Sequence, residues 1–208
     1  MKILICDDHK IVREGLKQIL QQIKEVTQIS EAADGNEAIE LLKGEVFDTM
    51  LLDISLPDRS GLEILQIVKE KWPSISVLML SMMPQEQYAI RALKLKASGY
   101  LTKNTASEEL LLAVKKVTEG GRYISQSLAE SLAINIENEN LQKKHDILSG
   151  REYEIMIKLA NGRSLHEIAE ELFISVKTVI TYRSRIMEKM ELSRNTELAR
   201  YCIENQLV

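Results

Sequence analysis

The strongest constraint on the fold is an alternation of short apolar runs with helical patterns over the first 120 residues. The runs cover residues 2–6, 26–30, 49–52, 75–80 and 99–102, and each is too short for a core helix, so each predicts a strand. Segments with apolar residues at helical spacing follow the runs. Five strands that alternate with five helices predict a doubly wound α/β fold, with a five-stranded parallel sheet covered on both faces.

The remaining sequence has a different organisation. Gly120 and Gly121 end the alternation, and residues 122–146 are rich in Ser, Asn, Gln and Glu with weak apolar spacing, which predicts a linker. From residue 147 onward the patterns are helical only, and capping boxes at 149–152 and 164–167 begin two helices. A turn at 173–175 precedes a longer helix that runs to about residue 190, which is the outline of a helix-turn-helix. We therefore predict an α/β domain over 1–121 and a small four-helix domain over 147–208.

Charged and polar side chains stand where the predicted strands end. Asp7 and Asp8 follow the first strand, Asp53 the third, Ser81 the fourth and Lys103 the fifth. Because the carboxyl ends of parallel strands meet at one edge of a sheet, we expect these side chains to converge. Crowded carboxylates favour a hard cation such as Mg²⁺, and a carboxylate can be the nucleophile that forms an acyl phosphate. Asp53 is the best nucleophile candidate, because its strand is central and apolar.

The first domain resembles the receiver domain of two-component response regulators. The resemblance covers residues 1–121 and rests on Asp7, Asp8, Asp53, Pro57, Gly61, Ser81, Tyr100 and Lys103. It implies that Ser81 and Lys103 stabilise a bound phosphoryl group, and that Ser81 and Tyr100 switch conformation with it. Asn104 departs from the Asp or Pro that the family often has after the lysine.

The same resemblance implies the partners of the site. A sensor histidine kinase supplies the phosphoryl group, and Asp53 is the phosphoacceptor. Mg²⁺ is bound by Asp8 and Asp53, with help from Asp7 and from the main-chain carbonyl of Ser55. We expect no enzymatic turnover beyond self-catalysed phosphorylation from small donors and autodephosphorylation.

The second domain resembles the LuxR-type helix-turn-helix, which accompanies receivers in the NarL/FixJ class of response regulators. The matching segments are 148–152, 162–169, 172–179 and 186–190. Helical spacing places Val179, Ile186 and Met190 on a buried face, and leaves cations for phosphates and short polar groups for base edges. The residues predicted to contact double-stranded DNA are Ser175, Lys177, Thr178, Ile180, Thr181, Tyr182, Arg183, Arg185 and Lys189. Ile180 and Tyr182 stand where the family often has Lys and His, and an Ile can meet a thymine methyl group instead.

Together the resemblances imply a phosphorylation-dependent transcription regulator that binds inverted half-sites as a homodimer. Two alternatives stay open. The receiver can serve only for assembly of a phosphorylation-independent dimer, or the chain can be an aspartyl-phosphate phosphatase. The phosphatase needs a second Asp two residues after its nucleophile, where this chain has Ser55. No G-x-G-x-x-G follows the first strand, which excludes a dinucleotide-binding enzyme.

Composition agrees with an ordinary globular chain. Its 208 residues are 45% hydrophobic and 28% charged, with a net charge of −4 that gives no direct sign of nucleic acid binding. Cys6 and Cys202 lie far apart and predict buried free thiols. There is no signal peptide pattern and no apolar run near the roughly 18 residues of a membrane span, so we expect no membrane contact and a cytoplasmic location.

Overall fold

A computed structural model describes residues 1–82, 86–125, 128–129, 143–205 and 207–208, without the side chains of 86 and 87. The chain divides into two compact units, Met1–Glu137 and Asn138–Val208. Most of the predicted linker at 122–146 lies outside the described residues, so its character stays a prediction.

The first unit is the predicted parallel sheet. Its strands are β1 (Lys2–Cys6), β2 (Gln28–Ala32), β3 (Thr49–Asp53), β4 (Ser76–Ser81) and β5 (Gly99–Thr102), in the spatial order β2-β1-β3-β4-β5. The helices between and after them are α1 (Lys10–Leu20), α2 (Gly35–Gly44), α3 (Gly61–Lys71), α4 (Glu86–Lys94) and α5 (Ser107–Thr118). Every strand pair is parallel, which confirms the doubly wound fold.

Two helical layers cover the sheet. Helix α1 contacts α5, and α2 contacts α3. Alternate strand residues such as Ile5, Leu51 and Leu80 pack with α5 residues such as Val114 and Val117 in one fully buried core. The intervening strand residues Leu4, Leu52 and Met79 are also fully buried, so both faces of the central strands are apolar, which explains the continuous apolar runs in the sequence.

The structure corrects three boundaries. β2 begins at Gln28 and not at residue 26, because Val26 still belongs to a turn in which its N–H donates to the carbonyl of Ile23. β4 begins at Ser76, since the N–H of Ile75 donates to the carbonyl of Trp72 in another turn. The residues Thr105-Ala-Ser-Glu108 have the pattern of a capping box and predict an N-cap at Thr105, but this prediction is wrong, because Ala106 is the N-cap of α5. The Thr105 hydroxyl instead lies 3.1 Å from that of Thr102.

The second unit has the predicted helices. They are α6 (Gly150–Ala160), α7 (Leu165–Glu171), α8 (Val176–Met190) and α9 (Asn195–Glu204), preceded by a 3-10 turn at Lys144–Ile147. The capping boxes of α6 and α7 both form, and Ser175 caps α8 by accepting from the N–H of Thr178. Between α7 and α8, Phe173 has a φ of 52°. A non-glycine residue in this left-handed region costs about 1 kcal/mol, so the turn is strained.

Two further sequence expectations can be compared with the structure. Cys6 and Cys202 are free and buried, as predicted. None of the helices in the described part of the chain has the length and apolar character that crossing a bilayer requires.

Candidate functional site

Strand register assembles the polar edge of the sheet. Cys6 pairs with Leu52 and Asp53 pairs with Leu80, so Asp7, the next residue after β1, reaches the level of Asp53. Leu80 pairs in turn with Leu101, so Lys103 follows two residues beyond the level of Asp53, and its side chain reaches back to both acids. Residues that are 50 positions apart in sequence, such as Asp53 and Lys103, thereby meet.

Lys103 is the cation at the centre of this cluster. Its Nζ lies 2.7 Å from Asp7 Oδ2 and 2.8 Å from Asp53 Oδ2. All three side chains are almost completely buried, at 5% exposure for Lys103, 0% for Asp7 and 3% for Asp53. Two carboxylates and one ammonium leave a net negative charge in a place that water barely reaches, so the cluster electrostatically favours a further cation.

Burial also changes the acidity of these groups. It raises the pKa of Asp53 to about 7; Lys103 opposes this effect and the nearby Asp7 adds to it. Burial lowers the pKa of Lys103, but the two carboxylates outweigh it and hold that pKa above its ordinary value. Lys103 is therefore charged at neutral pH, and the raised pKa of Asp53 reflects the cost of a second buried carboxylate charge without a further cation.

Ser81 and Tyr100, the predicted switch pair, are brought together. Both are buried. Burial raises the pKa of Tyr100 to about 12, and a hydrogen bond with the Ser81 side chain opposes part of this shift. The Tyr100 ring is thus held inward, next to the hydroxyl that is expected to meet a phosphoryl oxygen.

The loop after β3 folds back against Asp53. The N–H of Ser55 donates to the Asp53 carboxylate, and the N–H of Gly61 donates to the carbonyl of Ile54 at 2.7 Å. A Cβ at position 61 would lie 1.9 Å from the Asp53 carbonyl oxygen, so only glycine fits. The loop therefore keeps Ser55 beside the acid to which its carbonyl is expected to add a ligand.

Two residues at this edge were missed from the sequence. Asp58 accepts from the N–H groups of Gly35 and Asn36, at 2.9 and 2.8 Å, and so fastens the loop after β3 to the start of α2. His9 Nδ1 lies 2.6 Å from Asp8 Oδ1. Neither contact leaves a sequence signal, since an Asp in a loop and a His before a helix have no fixed spacing from their partners.

The acidic groups fit a divalent cation. Asp7, Asp8, His9 and Asp53 each offer a ligand atom, and these atoms lie within 4.8 Å of one another. Asp7 Oδ2 and Asp8 Oδ1 are buried and receive no hydrogen bond of good geometry from the described residues, although Lys103 and His9 stand at ion-pair distance. Three carboxylates form the oxygen-rich set that Mg²⁺ prefers.

The helix-turn-helix forms the second candidate site. Helix α8 packs on both α6 and α7, and it buries Val179, Ile186, Met187 and Met190. Its opposite face is exposed, and it presents Lys177, Ile180, Thr181, Ser184, Arg185 and Glu188. The predicted division into a packed face and a solvent face is confirmed.

The other predicted contact residues lie at the edges of that face. Ser175 is exposed as the N-cap, while Thr178 and Tyr182 are half-buried. Arg183 Nε donates to Asn195 Oδ1 at 2.8 Å, and Lys189 Nζ donates to Glu152 Oε2 at 2.6 Å. Both cations are thus held by neighbouring helices and not extended freely into solvent.

Two protein families match the sequence of the chain. Residues 3–115 match the response regulator receiver domain, and residues 146–202 match the luxR family of bacterial regulatory proteins. The chain therefore belongs to the response regulators of the NarL/FixJ class, with a receiver domain and a LuxR-type DNA-binding domain.

Relatives extend over the whole chain. The oxygen regulatory protein NreC of Staphylococcus haemolyticus (strain JCSC1435) is 37% identical over an alignment of 219 positions, which covers 100% of this chain and 99% of that protein. Among solved structures, RcsB from Salmonella enterica serovar Typhimurium bound to promoter rprA with the phosphomimetic BeF₃⁻ is 27% identical, with a TM-score of 0.60 and 97% of each chain covered. A structure of two RcsB dimers bound to two parallel DNAs is 26% identical, with a TM-score of 0.61 and coverage of 97% and 96%.

Proposed function

We propose that Asp53 accepts a phosphoryl group from a sensor histidine kinase, and that this event controls DNA binding by the second domain. The observation on which the proposal rests is the buried bridge of Lys103 between Asp7 and Asp53, at 2.7 and 2.8 Å. An ordinary surface aspartate is not expected to have a buried lysine and a second buried acid as neighbours. An aspartate that acquires a phosphoryl group needs both a counter-charge and a metal site at this place.

Asp8, Asp53 and Asp7, together with the Ser55 carbonyl, would hold Mg²⁺. When bound, the ion neutralises charge on the phosphoryl oxygens. An Asp53 carboxylate oxygen attacks the phosphorus atom, and the bond between phosphorus and the donor's leaving group breaks. Lys103 then exchanges its contact with the free carboxylate for one with a phosphoryl oxygen, and the Ser81 hydroxyl donates to another.

The output is a shift between two populations of the receiver. A phosphoryl group that takes the Ser81 hydroxyl removes one hydrogen-bond partner of Tyr100, so the preferred rotamer of the Tyr100 ring changes with phosphorylation. The phosphorylated form then binds promoter DNA as a homodimer on two half-sites, through the residues predicted on and beside α8. The RcsB dimers on DNA support this reading by similarity.

The decisive experiment measures mass. Incubation of the full chain with acetyl phosphate and Mg²⁺ is expected to add one phosphoryl group, and Asp53→Ala is expected to abolish the addition. Asp48→Ala, which removes an exposed Asp close to the same strand, is the control that keeps it. Addition that persists in Asp53→Ala, or that never occurs, would refute the assignment.

Each of the two alternatives has its own test. A phosphatase would turn over a generic phosphate ester many times, whereas a receiver is expected not to turn it over. Genome-wide mapping of bound DNA tests the other alternative, the phosphorylation-independent dimer. Asp53→Ala is expected to lose bound promoters, and an unchanged map would favour a receiver that serves only for assembly.

A further inference from the structure

The exposed centre of α8 lacks hydrogen-bond donors, and this bears on how the helix reads DNA. We define this centre as the three exposed residues Ile180, Thr181 and Ser184, which lie between Lys177 and Arg185. Ile180 is 46% exposed and has no polar group. The two hydroxyls are therefore the only side-chain polar groups at the centre of this face.

Both hydroxyl protons are already used within the helix. Thr181 Oγ1 donates to the carbonyl of Lys177 at 3.0 Å, and Ser184 Oγ donates to the carbonyl of Ile180 at 3.1 Å. The rest of the Thr181 side chain is its apolar methyl group. The centre of the face thus presents methyl groups, together with hydroxyl lone pairs that can only accept.

Base pairs differ in how well their major-groove edges complement such a face. Guanine presents two acceptors in the major groove, N7 and O6, which both require donors. Thymine presents a 5-methyl group that needs only an apolar contact, and its partner adenine offers an amino donor that a hydroxyl lone pair can accept. An A·T pair therefore satisfies both features of the face, whereas a G·C pair offers only the cytosine amino donor and no methyl group.

We infer that the centre of α8 recognises thymine bases by their 5-methyl groups, through Ile180 and the Thr181 methyl, and not by donating hydrogen bonds to purine acceptors. The inference rests on the proposed function, since it assumes that α8 enters the major groove. It extends the sequence expectation that Ile180 can meet a thymine methyl group, and it limits what the short polar side chains of this helix contribute at base edges.

The cations of the helix have a separate task. Lys177 lies in the first turn and Arg185 one turn beyond Thr181, and both are exposed. Arg183 is directed by Asn195 toward the start of α9. These charges flank the methyl-rich centre on either side along the helix, where phosphates of the two groove walls attract cations. Affinity then comes from the flanks, and the choice of base comes from the centre.

The test removes single methyl groups from DNA. The phosphorylated full chain first selects its preferred duplex from a random library, and each thymine of one half-site is then replaced by deoxyuridine, which differs only in the 5-methyl group. We expect a loss of affinity of about three- to tenfold at one or two thymines, the size of one buried methyl contact. For Ile180→Ala the loss at one of these positions is expected to shrink below about twofold.

Matched variants separate methyl from hydroxyl. Thr181→Val keeps the methyl and removes the hydroxyl, so it is expected to retain the deoxyuridine effect. Thr181→Ser keeps the hydroxyl, removes the methyl and is expected to lose the effect at its thymine. Ile203→Ala removes an exposed Ile from α9 and is the control that leaves every position unchanged.

Other outcomes overturn the inference. Sequence-specific binding that ignores deoxyuridine, or that falls when 7-deazaguanine replaces guanine at the centre of the half-site, leaves the proposed function intact and refutes methyl recognition. Failure to bind any duplex, phosphorylated or not, refutes the proposed function and this inference with it.

Discussion

The receiver edge and the recognition helix use the same kinds of charged residue in opposite surroundings. At the edge, Asp7, Asp53 and Lys103 come from three different strand ends and are all buried. On α8, Lys177 and Arg185 come from one helix and are exposed. The energy of two charges depends on the local dielectric, so the first site is strongly coupled within itself and the second is screened by water and salt.

This difference agrees with the tasks that we propose for the two sites. A phosphoryl acceptor needs groups whose charge state changes when a ligand arrives, and burial supplies that coupling by raising the pKa of Asp53 to about 7. A DNA-binding face needs cations that remain charged and can adjust to phosphates. The comparison predicts that equal changes have large effects at the first site and small effects at the second.

The largest expected effect follows from removing the buried lysine. Lys103→Met leaves Asp7 and Asp53 without their ammonium partner, and we expect a loss of about 3–5 kcal/mol in the free energy of unfolding of the metal-free receiver at pH 8. Urea unfolding followed by fluorescence measures it. The only Trp of the chain is Trp72, at the end of α3, so the signal reports the receiver alone.

Its matched control is an exposed pair in the same unit. Lys17 Nζ lies 2.8 Å from Glu31, the same distance as Lys103 from Asp53, but Lys17 is 42% exposed. We expect Lys17→Met to cost less than about 1 kcal/mol. Similar losses in the two variants would show that burial does not distinguish these ion pairs, and would break the comparison.

A smaller effect is expected from the loop that shapes the receiver edge. In Gly61→Ala the new Cβ meets the Asp53 carbonyl oxygen at 1.9 Å and Ile54 Cα at 2.8 Å, so backbone must move. We expect a loss of about 2–3 kcal/mol, measured by the same fluorescence. It should be accompanied by weaker Mn²⁺ binding in paramagnetic titration, because Asp53 and Ser55 shift together.

Gly44→Ala is the control for this substitution. No heavy atom lies within 4 Å of a Cβ there, and Gly44 is the last residue of α2. The substitution is expected to gain about 0.5 kcal/mol, since alanine loses less backbone entropy in a helix. A Gly61→Ala variant as stable as Gly44→Ala would mean that the loop is free to open without affecting the acid.

Much of the receiver edge was predictable because topology alone determines it. Once five parallel strands are recognised, Asp7, Asp53 and Lys103 must emerge at one end of the sheet, however far apart they lie in sequence. The buried face of α8 was predictable for a similar reason, since helical period aligns Val179, Ile186 and Met190.

The features that could not be predicted depend on contacts between residues that have no fixed spacing in the sequence. Asp58 finds its partners at Gly35 and Asn36 only because two loops meet above the sheet. The start of β2 was misplaced because Val26 is apolar like a strand residue but belongs to a turn. The direction of the Thr181 and Ser184 hydroxyls was also missed, because composition does not reveal whether a hydroxyl bonds to its own helix.

The smallest effect is expected for the ion pair of buried Glu152 and half-exposed Lys189 in the second unit. The burial of this pair is intermediate between the receiver edge and the exposed face of α8. Burial alone raises the pKa of Glu152, but the bonds from Lys189 and Ser149 outweigh it and hold the pKa below its ordinary value. For a carboxyl with a depressed pKa, the stabilisation is present above the unfolded-state pKa and is lost as pH falls through the folded-state pKa. Lys189→Ala should therefore cost about 0.5 kcal/mol at pH 7, discounted for the exposure of Lys189.

The pH dependence decides whether that cost comes from the ion pair. In Lys189→Ala the carboxyl signal of Glu152, followed by NMR, should titrate at a higher pH than in the wild type. The stability difference from hydrogen exchange in α6 should shrink below about pH 4.5 as Glu152 becomes protonated in both proteins. Lys177→Ala on the exposed face serves as the control that leaves the Glu152 titration unchanged. A stability difference that is constant from pH 7 to pH 3 would assign the cost to lost packing of the lysine stem, and would place Lys189 with the screened charges of the DNA face.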